Sequence, residues 1–243
     1  MLFTTPINLL LALAPATIFA APTPTIPTLA NLFDLERRGL SSAVVKALSN
    51  GGCDLSKVSM PTAPTPLPLP AAGLTLSHIA LGRGIQNYTC VTPSAKETPV
   101  AVGAIAQLFN ATCSYPRAPT VVDTLPHLAL SYPVPSGAVA QEMLSGHHEF
   151  NAAGTPYFSL KTEAHDYGDV NVKKNASSSA PAGSDKGRNG MGSVTWLKLV
   201  ASSEGSYKEV YRLNTAGGQA PATCDGMPGQ FSVEYAAEYW FWH

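Results

Sequence analysis

From Leu74 to the C-terminus the chain is written mostly in period two, and that pattern restricts it to β architecture. Alternation sends successive side chains to opposite faces of a strand, so one face can be buried while the other meets water. Leu74–Val91 starts as LTLSHIALG and resumes as IQNYTCV after Gly82-Arg83-Gly84, a glycine pair that predicts a bulge or turn. In Pro99–Cys113, Val100, Val102, Ala104, Ala106 and Leu108 alternate. Gln141–Leu160 offers two short strands around Asn151-Ala152-Ala153-Gly154, and Tyr167–Lys173 alternates again. Ser193–Ala201 and Tyr207–Thr215 read as antiparallel neighbours joined by Ser202-Ser203-Glu204-Gly205, and Phe231–Trp242 is a last aromatic strand. Helical signal is confined to Leu40–Asn50 and a turn near Thr124–Leu130. The expected fold is mainly β: a single antiparallel β-sandwich or barrel-like domain with a short N-terminal helix and long Pro/Gly-rich loops.

The N-terminus adds an address. Residues 1–20 have an apolar core, Ile7–Ala20, shorter than the ~20 residues a membrane-spanning helix needs, and end at Ala20 before Ala21. They read as a secretory signal peptide. Residues 21–38 form a candidate pro-segment ending in Arg37-Arg38, a kexin-type dibasic site. Residues 39–73 make a helical arm and a proline-rich lead-in, MPTAPTPLPLP, which cannot be a central strand because proline lacks the ladder donor. Residues 74–243 make the β-rich domain, with a mobile loop near 175–192 that is poor in apolar residues. Three sequons, at Asn87, Asn110 and Asn175, fit a secreted glycoprotein. Four cysteines, Cys53, Cys90, Cys113 and Cys224, predict two disulfides with three connectivities open.

A formal net charge of −1 without a basic run argues against nucleic acid as a partner, and no segment after residue 20 is apolar enough to span a membrane. Two Cys-x-x-Cys pairs would signal zinc, and none occurs; no metal or other cofactor is expected. Chemistry has few places to sit. Gln86 shares a strand face with Tyr88 and Cys90, so if Asn87 faces water Gln86 turns inward and its amide needs partners. In His147-His148-Glu149, His148 points opposite to its neighbours and is expected beside Pro156 and Phe158. Arg212 and Asn214 are placed on one face of their strand. Arg212 either reaches Glu209 or Glu234 across the sheet or holds a carboxylate or sugar-acid ligand in its planar fork. Gln86, His148, Arg212 and Asn214 are therefore the candidate pocket. No G-x-S-x-G elbow is present. The aromatic run Tyr235, Tyr239, Trp240, Phe241, Trp242 alternates faces, and core packing is its expected role rather than a sugar-stacking platform.

Several motifs together carry a resemblance: GRGIQNYTC at 82–90, GAIA at 103–106, GHHEF at 146–150 with GTPYF at 154–158, VYRLNTAGG at 210–218 through Cys224, and YAAEYWF at 235–241. On these the chain resembles the secreted fungal members of the family called domain of unknown function 3455. The resemblance implies an extracellular β fold and no stated activity. It also implies the pairing Cys90–Cys224 and Cys53–Cys113. Members are often labelled malate dehydrogenase, but Gly82-Arg83-Gly84 lacks the third glycine and the following helix of a dinucleotide loop. The expected function is a secreted, non-catalytic surface or ligand-binding protein, with cell-wall or host carbohydrate as the candidate partner. The alternative is an extracellular enzyme with a polar pocket around His148 and Arg212.

Overall fold

Alternation closes on itself here. In a computed structural model that describes residues 53–227 and 229–243, eight strands form one closed antiparallel barrel in sequence order. They are β1 (Leu76–Thr89), β2 (Val100–Asn110), β3 (Leu144–Phe150), β4 (Pro156–Lys161), β5 (Asp166–Ser178), β6 (Trp196–Ala201), β7 (Glu209–Gly217) and β8 (Gln230–Trp242). β8 returns to pair with β1 from Leu76↔Trp242 to Thr89↔Gln230, so the sheet has no unpaired edge. Two helices interrupt the meander between β2 and β3: α1 (Pro119–Leu130) and α2 (Ala138–Met143). The signal-peptide boundary at Ala20, Arg37-Arg38 and the Leu40–Asn50 helix lie outside the described residues.

One face of each strand fills the lumen. Ala80, Ala106, Leu108, Phe158, Val210 and Tyr239 belong to this core. The outer face is not left bare. Ile79, Tyr211 and Trp240 are fully buried beneath α1 and the proline-rich lead-in, with Val122 and Ala63 packed against them. Backbone acceptors fix the lead-in, which has no ladder of its own: Tyr211 OH donates to Pro68 O at 2.8 Å and Lys198 Nζ to Leu69 O at 2.7 Å. Lys198 also pairs with Glu209 at 3.0 Å, both nearly buried.

Three expectations are corrected. β1 runs unbroken through Gly82-Arg83-Gly84, with a partner on β2 and on β8 at each position. The glycines answer a close approach rather than a bulge. A Cβ at Gly82 would sit 2.5 Å from the Tyr239 ring, and one at Gly84 would overlap the Ile105 carbonyl oxygen. The helix expected near Thr124–Leu130 starts at Pro119, a residue suited to a first helical turn. The stretch expected as a mobile loop begins as sheet, because β5 continues to Ser178. In its remainder Asp185 O accepts from Gly217 N at 2.9 Å, and just beyond it Val194 N donates to Gly217 O at 2.9 Å.

Disulfides join Cys90 to Cys224 and Cys53 to Cys113, with Cα separations of 5.7 and 5.4 Å. The first ties the chain after the Gly217-Gly218 turn to the end of β1. Both glycines have positive φ, and a Cβ at Gly218 would lie 2.8 Å from that of Tyr235.

Candidate functional site

At one end of the barrel the inward faces of β1 and β7 deliver polar groups. Gln86 and Tyr88 come from β1 and Arg212 from β7; all three are more than nine-tenths buried. The segment 179–195 between β5 and β6 forms the opposite wall. Together they line a half-open cavity of about 530 Å³, within the range of small-molecule sites.

Arg212 dominates its electrostatics. Nε and Nη2 donate to the Thr195 carbonyl at 3.2 and 2.9 Å. Among the described residues no Asp or Glu pairs with it. The expected reach to Glu209 or Glu234 does not occur, because those acids are taken: Glu209 by Lys198, Glu234 by Arg83 and Arg188. A buried cation without a counter-ion is costly unless something supplies charge or hydrogen bonds. Among the described residues no Asp or Glu lines the cavity, and Lys186 adds a second cation at its exposed side. Gln86 lies close to the Tyr235 hydroxyl, yet its buried Nε2 has no hydrogen-bond partner among the described residues. The buried end of the cavity thus offers one unpartnered donor, Gln86 Nε2, beside an unbalanced positive charge. Tyr88 is already committed, since its hydroxyl donates to Gly218 O at 2.7 Å.

The four candidate residues do not all meet. Gln86 and Arg212 do. His148 does not line the cavity; it lies within the lumen, its ring 6.0 Å from that of Tyr239. It stacks on Phe158 at 4.2 Å, and Nδ1 donates to Tyr157 O at 2.9 Å. Burial, reinforced by the charge of Arg212, lowers its pKa to about 4, so the ring is neutral at pH 7. Asn214 leaves the site altogether. It has φ 45° and sits where β7 carries one residue more than β8 between Leu213↔Glu238 and Ala216↔Ala236. That bulge breaks the alternation with Arg212. Asn214 Nδ2 donates instead to Asp123 on α1 and Glu238 on β8. Burial raises Glu238 to about 7, and Asp123 adds to the rise by repulsion and by a hydrogen bond to the protonated acid.

Sequence reasoning missed the wall residues Ser179, Ser184, Lys186 and Gln219, because a Ser/Gly/Ala-rich stretch carries no periodic signal. Among the described residues no group of three or more His, Cys, Asp or Glu side chains could hold a metal ion. The aromatic run supplies no surface platform: Tyr235, Tyr239, Trp240 and Phe241 are at most 1% exposed. Of the sequons, Asn175 is exposed. Asn87 is half-buried, with Oδ1 accepting from Ser232. Asn110 is 9% exposed, and its Nδ2 donates to Tyr167 OH at 3.4 Å. No helix among the described residues is long and apolar enough to cross a membrane.

A family model described as "Protein of unknown function (DUF3455)" matches residues 70–243, the whole barrel with the end of the lead-in. Comparison with curated proteins and with solved structures gave no match.

Proposed function

The chain belongs to the DUF3455 family, and from that premise we propose that it is a secreted, non-catalytic ligand-binding barrel whose ligand is a small organic anion. Arg212 carries this reading: among the described residues this buried cation has no acidic partner, and it faces a cavity that none of their acids lines. A carboxylate would balance the guanidinium charge, accept from N–H groups that the Thr195 carbonyl does not take, and accept from Gln86 Nε2. The Ser/Thr/Gln-rich wall suits a hydrophilic ligand, consistent with carbohydrate-derived partners. The enzyme reading is weaker, because His148 is buried in the lumen and does not line the cavity. A dehydrogenase is weaker still: a meander of antiparallel strands offers no strand–helix crossover to seat a pyrophosphate.

Secretion rests on the N-terminal pattern and the two disulfides. N-terminal sequencing of secreted protein tests it, with Ala21 or Gly39 as the expected start. Calorimetric titration with acetate and citrate tests the anion site. Saturable binding that Arg212→Gln abolishes while near-ultraviolet circular dichroism stays native is expected. Equal affinity of wild type and variant would refute it.

A further inference from the structure

We propose that the cavity takes an acidic sugar, with its carboxylate on Arg212 and Gln86 and its hydroxyls on the 179–195 wall. This rests on the anion-binding reading and specifies its ligand. The two ends of the cavity ask for different chemistry. At the buried end Gln86 Nε2 has no hydrogen-bond partner and the Arg212 charge is balanced by no Asp or Glu among the described residues, which calls for an anionic acceptor with two oxygens. Further out, the Ser179 and Ser184 hydroxyls and the Gln219 amide make no hydrogen bond within the described residues. Each can both donate and accept, which matches a hydroxyl rather than an anion.

Other anions fit one end only. Acetate or inorganic phosphate would satisfy the donors and leave the serine wall to water, in a space much larger than either needs. A fatty or aromatic acid would lay apolar surface against hydroxyls and strand them, which costs free energy. A sugar acid presents a carboxylate at one end, hydroxyls along its edges and an apolar C–H face. Ala101, Pro181 and Val194 supply the matching apolar patches between the polar groups. Lys186 at the exposed side would favour a second carboxylate or simply steer anions inward.

Calorimetric titration of the disulfide-bonded chain with galacturonate, glucuronate, galactose and acetate tests this. A uronate is expected to bind at least roughly tenfold tighter than acetate, with no detectable heat from galactose. Arg212→Lys keeps the charge, loses the fork and should weaken the uronate by roughly tenfold. Ser184→Val and Gln219→Leu, both on the wall and away from the core, should weaken the uronate and leave acetate unchanged. They keep the test alive if the Arg212 variant does not fold. Acetate binding as tightly as either uronate would overturn the sugar assignment while leaving an anion site. Galactose matching galacturonate, or no binding of any of the four, would overturn both.

Discussion

Asp123 and Glu238 share one amide: Asn214 Nδ2 donates to Asp123 Oδ1 at 3.0 Å and to Glu238 Oε1 at 2.9 Å. Tyr115 OH donates to the same Asp123 oxygen, and Trp240 Nε1 to the other oxygen of Glu238. Two carboxyl groups therefore meet where α1 covers β7 and β8, and Glu238 is fully buried. Like charges held this close under helix and sheet favour one proton between them.

The consequence is a pH dependence of known sign. Glu238 is raised from 4.5 to about 7, so folding favours its protonated form. That contribution is fully present below pH 4.5 and is lost as pH rises through about 7. His78 and His148 act oppositely. Burial lowers them to about 3 and about 4 from 6.5, and their contribution is lost as pH falls through those values. Wild type alone mixes the two effects. Glu238→Gln, which imitates the protonated acid, isolates one. Urea denaturation should show the variant gaining on wild type between pH 5 and pH 8.5, by on the order of 2 kcal/mol. Parallel profiles would show that Glu238 does not hold the proton.

Gly84 predicts a packing defect rather than a flexible spot. Its missing Cβ makes room for the backbone of β2 at Ile105 and Ala106. Gly84→Ala must push two paired strands apart, and the loss should exceed the ~1–3 kcal/mol typical of core overpacking. At Gly82 the obstacle is the Tyr239 ring rather than the backbone of a paired strand, so Gly82→Ala should cost less. The order of the two thermal midpoints checks this. Equal losses would mean that the strands tolerate the added methyl.

How much of this was legible beforehand depends on range. The inward placement of Gln86 follows from period two within β1, and so does the outward turn of His147 against His148. The same rule failed for Asn214, because one extra residue in β7 reverses the face, and a bulge leaves no mark in alternation counted along one strand. The GRG stretch misled in the other direction. Glycine there reflects what approaches from β2 and β8, information carried by residues far along the chain. The Asp123–Glu238 pair spans a helix and a strand with no local signature at all. The cavity wall carries no periodic signal because hydrogen bonding, rather than apolar burial, joins it to Gly217.

The Lys198–Glu209 pair predicts how the proline-rich lead-in is held. Lys198 Nζ binds both Glu209 and the Leu69 carbonyl, and Tyr211 OH joins Glu209 to Pro68 O. Lys198→Met removes the cation and leaves a buried carboxylate unpaired, a loss of ~3–5 kcal/mol. Adding Glu209→Gln removes the stranded charge and should recover most of it. The lead-in should also become sensitive to limited proteolysis between Val58 and Leu69 in the single variant. If the single and double variants are equally destabilised, the carboxylate was not dependent on Lys198.

The sequons predict unequal glycan occupancy. Asn175 lies exposed on β5 and has room for a glycan. At Asn110 both ends of the amide are used: Oδ1 accepts from Thr112 N at 2.9 Å and Nδ2 donates to Tyr167 OH. The sequon threonine is also engaged, with Thr112 Oγ1 3.1 Å from His78 Nδ1. A sugar on Asn110 would have to displace Tyr167 and open the end of β2, so a chain carrying it should fail to reach the native fold. Expression in a eukaryotic secretory host, followed by peptide mapping, should find Asn175 glycosylated and Asn110 bare in the folded, disulfide-bonded fraction. Asn110→Gln should then leave the glycan mass unchanged while lowering the thermal midpoint, because its longer side chain misplaces both hydrogen bonds. A fully occupied Asn110 in protein with a native circular dichroism spectrum would show that this corner of the barrel is open to solvent.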